Sequence, residues 1–233
     1  MTIGKFFALV AIFISAFTFG SCSKDDDDEK NSKSGGHEYV DLGLPSGTLW
    51  ATCNIGASQP EEYGDYFAWG ETETKETYDL SSYKLWSDST STITKYCTSY
   101  NYGMIDNRIE LVPEDDAANV NWGSSWCMPT IDQLKELYCS DYTTTKWTIL
   151  NGVNGRLITS KKNGKTLFLP AAGFRRNGSL VDEGFHGCYW SRSLKTGNCL
   201  FAYYWSFFSS SFIDWDDSSR YSGFSVRPVR VNK

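Results

Sequence analysis

Apolar and polar positions alternate in short runs along most of this chain, and Gly, Asn, Ser, Thr and Pro interrupt them at close intervals. Alternation with a period of two marks half-buried strands, and the interrupting residues mark turns. Tyr39 to Leu44, Pro45-Ser46-Gly47 and Thr48 to Cys53 together read as a first hairpin. Between Gly152 and Phe174, Asn163-Gly164 separates two more runs, and that pair predicts a type I′ turn because both central residues need positive φ. Asn177-Gly178 and the stretch from Lys195 to Asn198 divide the following runs, and an apolar run from Gly223 to Arg230 closes the chain. The period changes around residue 130. Pro129 precedes Thr130 and Gln133, which form a capping box, and Ile131, Leu134 and Leu137 or Tyr138 form a stripe, so a helix is predicted over 131–139. A shorter helix is expected from Asp115 or Asp116 through Ala118, with the carboxylates of Glu114, Asp115 and Asp116 at its positive end. The fold class is therefore α+β, antiparallel hairpins with two short helices in the middle.

The N-terminal segment follows a different pattern. Lys5 precedes an uninterrupted, largely apolar run of fourteen residues, Phe6 to Phe19, and then Gly20-Ser21-Cys22 and the acidic run Asp25 to Glu29. The run falls short of the roughly 18–20 residues that a spanning helix needs. It reads as a secretory signal over 1–21, cleaved before a lipidated Cys22, although Phe19 stands where a lipobox usually has leucine. Residues 22–37 then form a polar stalk ending in Gly35-Gly36, and 38–233 form one domain. The expected location is outside the cytoplasm, with the membrane touched through the lipid alone. Loss of 1–21 moves the formal charge from −6 to −7, because Lys5 is the only charged residue removed, and this argues against nucleic acid as a partner.

Outside the cytoplasm, cysteines are disulfide candidates. Besides Cys22 there are six, Cys53, Cys97, Cys127, Cys139, Cys188 and Cys199, an even number that leaves the connectivity open. Cys127 with Cys139 is set aside because the predicted helix separates them. Aromatic residues make up 16% of the chain. Trp69, Tyr189, Trp190, Tyr203, Tyr204, Trp205 and Trp215 are the candidate ligand-stacking rings, since alternation sends neighbours to opposite faces and leaves one of each pair for the surface. Two histidines, His37 and His186, are too few for a His-based zinc site. His186 and Cys188 project the same way from a strand but have no evident orienting group for nucleophilic catalysis. No catalytic constellation stands out.

Several blocks in order carry a resemblance: DLGLPSGTLWATCNIGASQPEEYGDYFAWGE, EDDAANVNWGSSWCMPTIDQLKEL, LFLPAAGFR, CYWSRS and GFSVRPVR. From Tyr39 to Arg230 the chain resembles the Fibrobacter succinogenes major paralogous domain, a family of Bacteroidetes surface lipoproteins. That family is similar to the formylglycine-generating, sulfatase-modifying fold, a variant of the C-type lectin fold. The acidic run after Cys22 likewise resembles a lipoprotein surface-export signal, which implies a place at the outer membrane, facing the cell exterior. The resemblance implies a C-type-lectin-like domain whose loops bind glycan or protein, or else an enzyme related to the formylglycine-generating oxidases, or a structural part of a surface or fimbrial assembly. Two departures count. Cys127 stands where the block usually has arginine, and no cysteine pair has the spacing those oxidases use. A noncatalytic binding module is therefore the leading expectation, without an organic cofactor. In such a fold the Asp214 to Asp217 segment is expected as a polar loop, with Asp214, Asp216 and Asp217 as candidate calcium ligands.

Overall fold

The computed structural model describes residues 33, 34, 36–209 and 212–231. The signal segment, Cys22 and the acidic run lie outside them. Strand β1 (Lys33–Ser34) pairs antiparallel with β2 (His37–Asp41), which pairs with β3 (Thr48–Ala51). The first hairpin forms as expected, but strand pairing begins earlier than the expected stalk boundary at residue 37. His37 stacks on Trp122 with ring centroids 3.6 Å apart.

After β4 (Tyr66–Phe67) comes a long irregular stretch that includes the short pair β5 (Trp86–Ser87) and β6 (Thr92–Ile93). Side chains satisfy its backbone where a ladder does not. Asp106 accepts from the amides of Tyr96 and Cys97 at 2.8 and 2.9 Å, Glu71 accepts from the Lys84 amide at 2.8 Å, and the Tyr83 hydroxyl donates to the Trp69 carbonyl at 2.7 Å.

Both predicted helices are present. Asp116 caps α1 (Ala117–Trp122) by accepting from the amides of Ala118 and Asn119. In α2 (Ile131–Tyr138) the Gln133 amide donates to Thr130 Oγ1 at 3.1 Å, and the Thr130 amide donates to Gln133 Oε1 at 2.9 Å. Leu134 and Leu137 are buried beneath it. Because the cap satisfies an amide that would otherwise be orphaned, Thr130→Ala should cost about 0.5–2 kcal/mol, measured by urea unfolding; an unchanged midpoint would contradict the cap.

Strands β7 (Thr143–Leu150), β8 (Val153–Ser160) and β9 (Thr166–Pro170) form an antiparallel meander. Its first turn, Asn151-Gly152, has φ of 47° and 85°, as type I′ requires. The expected type I′ turn at Asn163-Gly164 does not form, since there only Gly164 has positive φ, at 72°. Asn163 instead donates to the Asp41 carbonyl at 2.9 Å, within a wider loop closed by Ser160 N to Lys165 O at 2.9 Å. Asn177-Gly178, at 48° and 77°, makes the tight turn between β10 (Phe174–Arg176) and β11 (Ser179–Val181).

The remaining strands are β12 (His186–Leu194), β13 (Phe201–Phe208), β14 (Phe212–Ser219), β15 (Phe224–Ser225) and β16 (Val229–Val231). One sheet has the order β14-β13-β12-β15-β4, antiparallel except for the parallel pair β12 with β15. Another has the order β1-β2-β3-β16, so the last strand returns to the first hairpin with Val229 opposite Trp50. Apolar clusters cover both faces of β12. Cys188 and Trp190 pack with Trp69 and Phe224, while Tyr189 joins Trp205, Phe207, Leu134, Leu137 and Trp50. Among the described residues, no helix is long and apolar enough to cross a membrane. The architecture is α+β, rich in antiparallel strands.

Candidate functional site

A solvent-open cleft of about 620 Å³ lies where the segment after α1 meets β12 and β16. Two backbone junctions create it. Cys127 and Val229 exchange N–H···O bonds of 2.9 and 2.8 Å, which sets Arg230 beside the 124–127 segment. The Arg192 amide donates to Pro129 O at 2.8 Å, and its carbonyl accepts from the Leu111 amide at 3.0 Å. Arg192 leaves the β13 ladder because the register of β12 shifts between Trp190 and Leu194. Such a bulge re-aims the side chain it carries.

The cleft wall combines Arg192 and Arg230 with Asp116, Asn119, Ser124, Ser125, Trp126 and Cys127. Arg192 donates through Nη2 to Glu110 Oε2 at 2.8 Å, and the Arg230 guanidinium lies 5.2 Å from the centre of the Tyr39 ring. The Nε–H of each arginine is buried and has no hydrogen-bond acceptor among the described residues. Asp116 does not supply one. Its carboxylate accepts from Met128 N at 2.9 and 3.0 Å, from Ala118 N at 2.9 Å and from Asn119 N at 3.1 Å. Burial pushes the Asp116 carboxyl up, and these amides together with Arg192 oppose that shift. The Cys127 thiol is pushed up to about 11, by burial first and by the Asp116 charge second, with Arg192 opposing. It therefore stays protonated at neutral pH and does not act as a thiolate. Asn119 donates to the Trp126 carbonyl at 3.1 Å, while Ser124 and Ser125 are exposed. The arrangement offers guanidinium donors to an anion and hydroxyls to a polar ligand body.

The aromatic candidates lie elsewhere. Trp69, Trp190 and Trp205 are 0% exposed and Tyr189 is 1% exposed, so these four are core residues and offer no stacking surface. Trp69 and Trp190 donate their indole N–H to the carbonyls of Ser191 and Phe67, both at 2.8 Å, and the Tyr189 hydroxyl donates to Pro170 O at 2.7 Å. Tyr204 is half-buried against Phe224, with ring centroids 4.8 Å apart, and Tyr203 borders a smaller cavity near Thr130. The side chains of Asp214, Trp215 and Asp216 lie outside the described residues. Their segment is part of strand β14, not the polar loop expected, and Asp217 pairs with Lys195. Among the described residues, no group of three or more His, Cys, Asp or Glu side chains is placed to hold a metal. None of the six cysteines expected as disulfide candidates is bonded to another in this structure.

His186 and Cys188 do point the same way, with Sγ 3.3 Å from Nε2. Burial lowers the imidazole to about 4 and raises the thiol well above its ordinary value, the Asp182 charge opposing the first shift and adding to the second. At neutral pH the pair is a neutral thiol beside a neutral imidazole, which stacks on Phe208 at 3.8 Å. That is a packing contact, with no activated nucleophile. It also makes the fold acid-sensitive. Folding suppresses protonation of His186, so its effect on stability is nil above pH 6.5 and grows as the pH falls from 6.5 to about 4. The loss should reach about 3 kcal/mol. Comparing urea midpoints at pH 7 and 4.5 should show a smaller acid loss in His186→Gln than in the parent; equal losses would contradict this.

No family model, curated protein or solved structure matches this chain. The site must therefore be read from its own residues. Arg192 and Arg230 lie inside the blocks CYWSRS and GFSVRPVR, but the sequence did not single them out. The available signal was an arginine set into each of two apolar strand-forming runs, and at Arg192 the bulge that exposes it had no local mark. Cys127, noted in the sequence as a departure, does line the cleft.

Proposed function

We propose that this chain is a noncatalytic binding module of C-type-lectin-like fold, within the Fibrobacter succinogenes major paralogous domain family. In this reading a lipid on Cys22 holds it at the outer membrane, facing outward. Its ligand is an acidic saccharide, whose carboxylate docks on Arg192 and Arg230 while its hydroxyls meet Asn119, Ser124 and Ser125. The observation that carries this reading is the pair of partly exposed arginines lining one open cleft. A guanidinium fork matches a carboxylate in plane and spacing, which a lysine ammonium does not. Catalysis is not part of the reading, because neither cysteine considered above is held as a thiolate. Calcium is not required by it.

The direct test is an array of neutral, uronic-acid and sialic-acid oligosaccharides, with acidic peptides included to sample a protein partner. Retention confined to acidic sugars supports the proposal, and retention of peptides alone, or of neutral sugars equally, contradicts it. The anchor is tested separately: Cys22→Ala should move the protein out of the detergent phase, and unchanged partitioning would refute lipidation there.

A further inference from the structure

We propose that Cys97 and Cys199 are joined by a disulfide when the chain folds under oxidising conditions. This does not rest on the cleft or its ligand. Both residues are 0% exposed and belong to one apolar cluster with Tyr66, Tyr78, Tyr83 and Ile93. The Thr98 amide, next in sequence to Cys97, donates to Cys199 Sγ at 2.9 Å, and Thr98 Oγ1 lies 3.5 Å from the same sulfur. Cys97 Sγ donates to the Ser99 carbonyl at 3.1 Å, so both sulfurs lie against the backbone of residues 97–99. The other described cysteines whose contacts are seen face partners that are not cysteines. Cys188 is turned to His186, Cys127 to the Val229 carbonyl at 3.7 Å and Cys53 to Thr52 Oγ1 at 3.7 Å.

The position gives the bond a purpose. Cys97 lies in the irregular stretch that follows β4, where regular pairing is sparse, and Cys199 lies in the connection between β12 and β13. They are 102 positions apart in sequence. A crosslink there ties the least regular part of the fold to its longest strands and removes a large loop from the unfolded ensemble.

The oxidant is a small-molecule or protein disulfide, R–S–S–R. Cys199, as thiolate, attacks one sulfur of it, breaking the S–S bond and releasing one thiolate RS⁻. The Cys97 thiol gives up its proton, and its sulfur then attacks Cys199 Sγ of the mixed disulfide and expels the second RS⁻. Two protein thiols become one disulfide, and R–S–S–R is reduced to two thiols. The Thr98 contacts with Cys199 form only in the docked structure, so the same two steps run equally with the roles of the two cysteines exchanged. Since both sulfurs are enclosed in the folded domain, exchange takes place before the irregular stretch docks.

The full chain would be refolded in a mixture of oxidised and reduced glutathione, alkylated with N-ethylmaleimide in denaturant, digested without reductant and analysed by mass spectrometry. The expected product is the Cys97 peptide joined to the Cys199 peptide, two hydrogens lighter than the separate thiol peptides together. Alkylated Cys97 and Cys199, or either joined to a different cysteine, would overturn the proposal. Reductant should also lower the melting temperature of the oxidised protein by about 5–15 °C. An equal drop in the Cys97→Ser, Cys199→Ser double variant would overturn it as well.

Discussion

Trp190→Ala is expected to destabilise the domain by about 3–5 kcal/mol, the range for removing a large aromatic side chain from a packed core. Trp190 is fully buried, stacks on Phe224 at a centroid distance of 4.3 Å and donates its indole N–H to the Phe67 carbonyl. The substitution leaves a cavity and an unsatisfied acceptor together, and the two costs add. Denaturant unfolding reads the loss directly. A variant that melts like the parent but no longer retains ligand would show that the ring is a binding surface after all.

The tryptophans mark the limit of what the sequence conveys. Alternation gave strands over Cys188–Leu194 and Cys199–Phe208, which form as His186–Leu194 and Phe201–Phe208, and correctly sent Tyr189 and Trp190 to opposite faces. It did not say that both faces are covered. Leu134, Leu137 and Trp50 lie over the Tyr189 face, while Trp69 and Phe224 lie over the Trp190 face, and those residues come from distant parts of the chain. The capping of α2 was legible because Thr130 and Gln133 satisfy each other within one turn. Asn-Gly pairs were legible only in part. Asn177-Gly178 adopts the expected φ values, whereas Asn163 is recruited by the Asp41 carbonyl, 122 positions away. The Asp214 to Asp217 run read as a polar loop because its composition hides a strand that pairs with β13. The cleft was least legible. Asp116, Cys127, Arg192 and Arg230 meet through a bulge and a two-way backbone bridge, and neither leaves a local pattern in sequence.

The second large effect is expected at that cleft. Arg192→Ala or Arg230→Ala should each weaken an acidic ligand about 10- to 100-fold, the worth of a charge-assisted hydrogen bond that loses one partner. Both side chains are partly exposed, so folding should change little by comparison. Arg192→Lys should recover only part of the loss, because an ammonium keeps the charge without the planar fork. Raising the salt concentration should weaken the parent and spare the variants.

The most direct measurement is calorimetric titration, at low ionic strength, of the parent and of the Arg192→Ala, Arg230→Ala double variant. The probes are a uronic-acid-terminated oligosaccharide, a sialylated one and their methyl esters. The account predicts that the parent binds at least one acid, that its ester binds at least about 10-fold more weakly, and that the double variant binds neither while melting like the parent. Equal binding of acid and ester, or undiminished binding by the folded double variant, would contradict it.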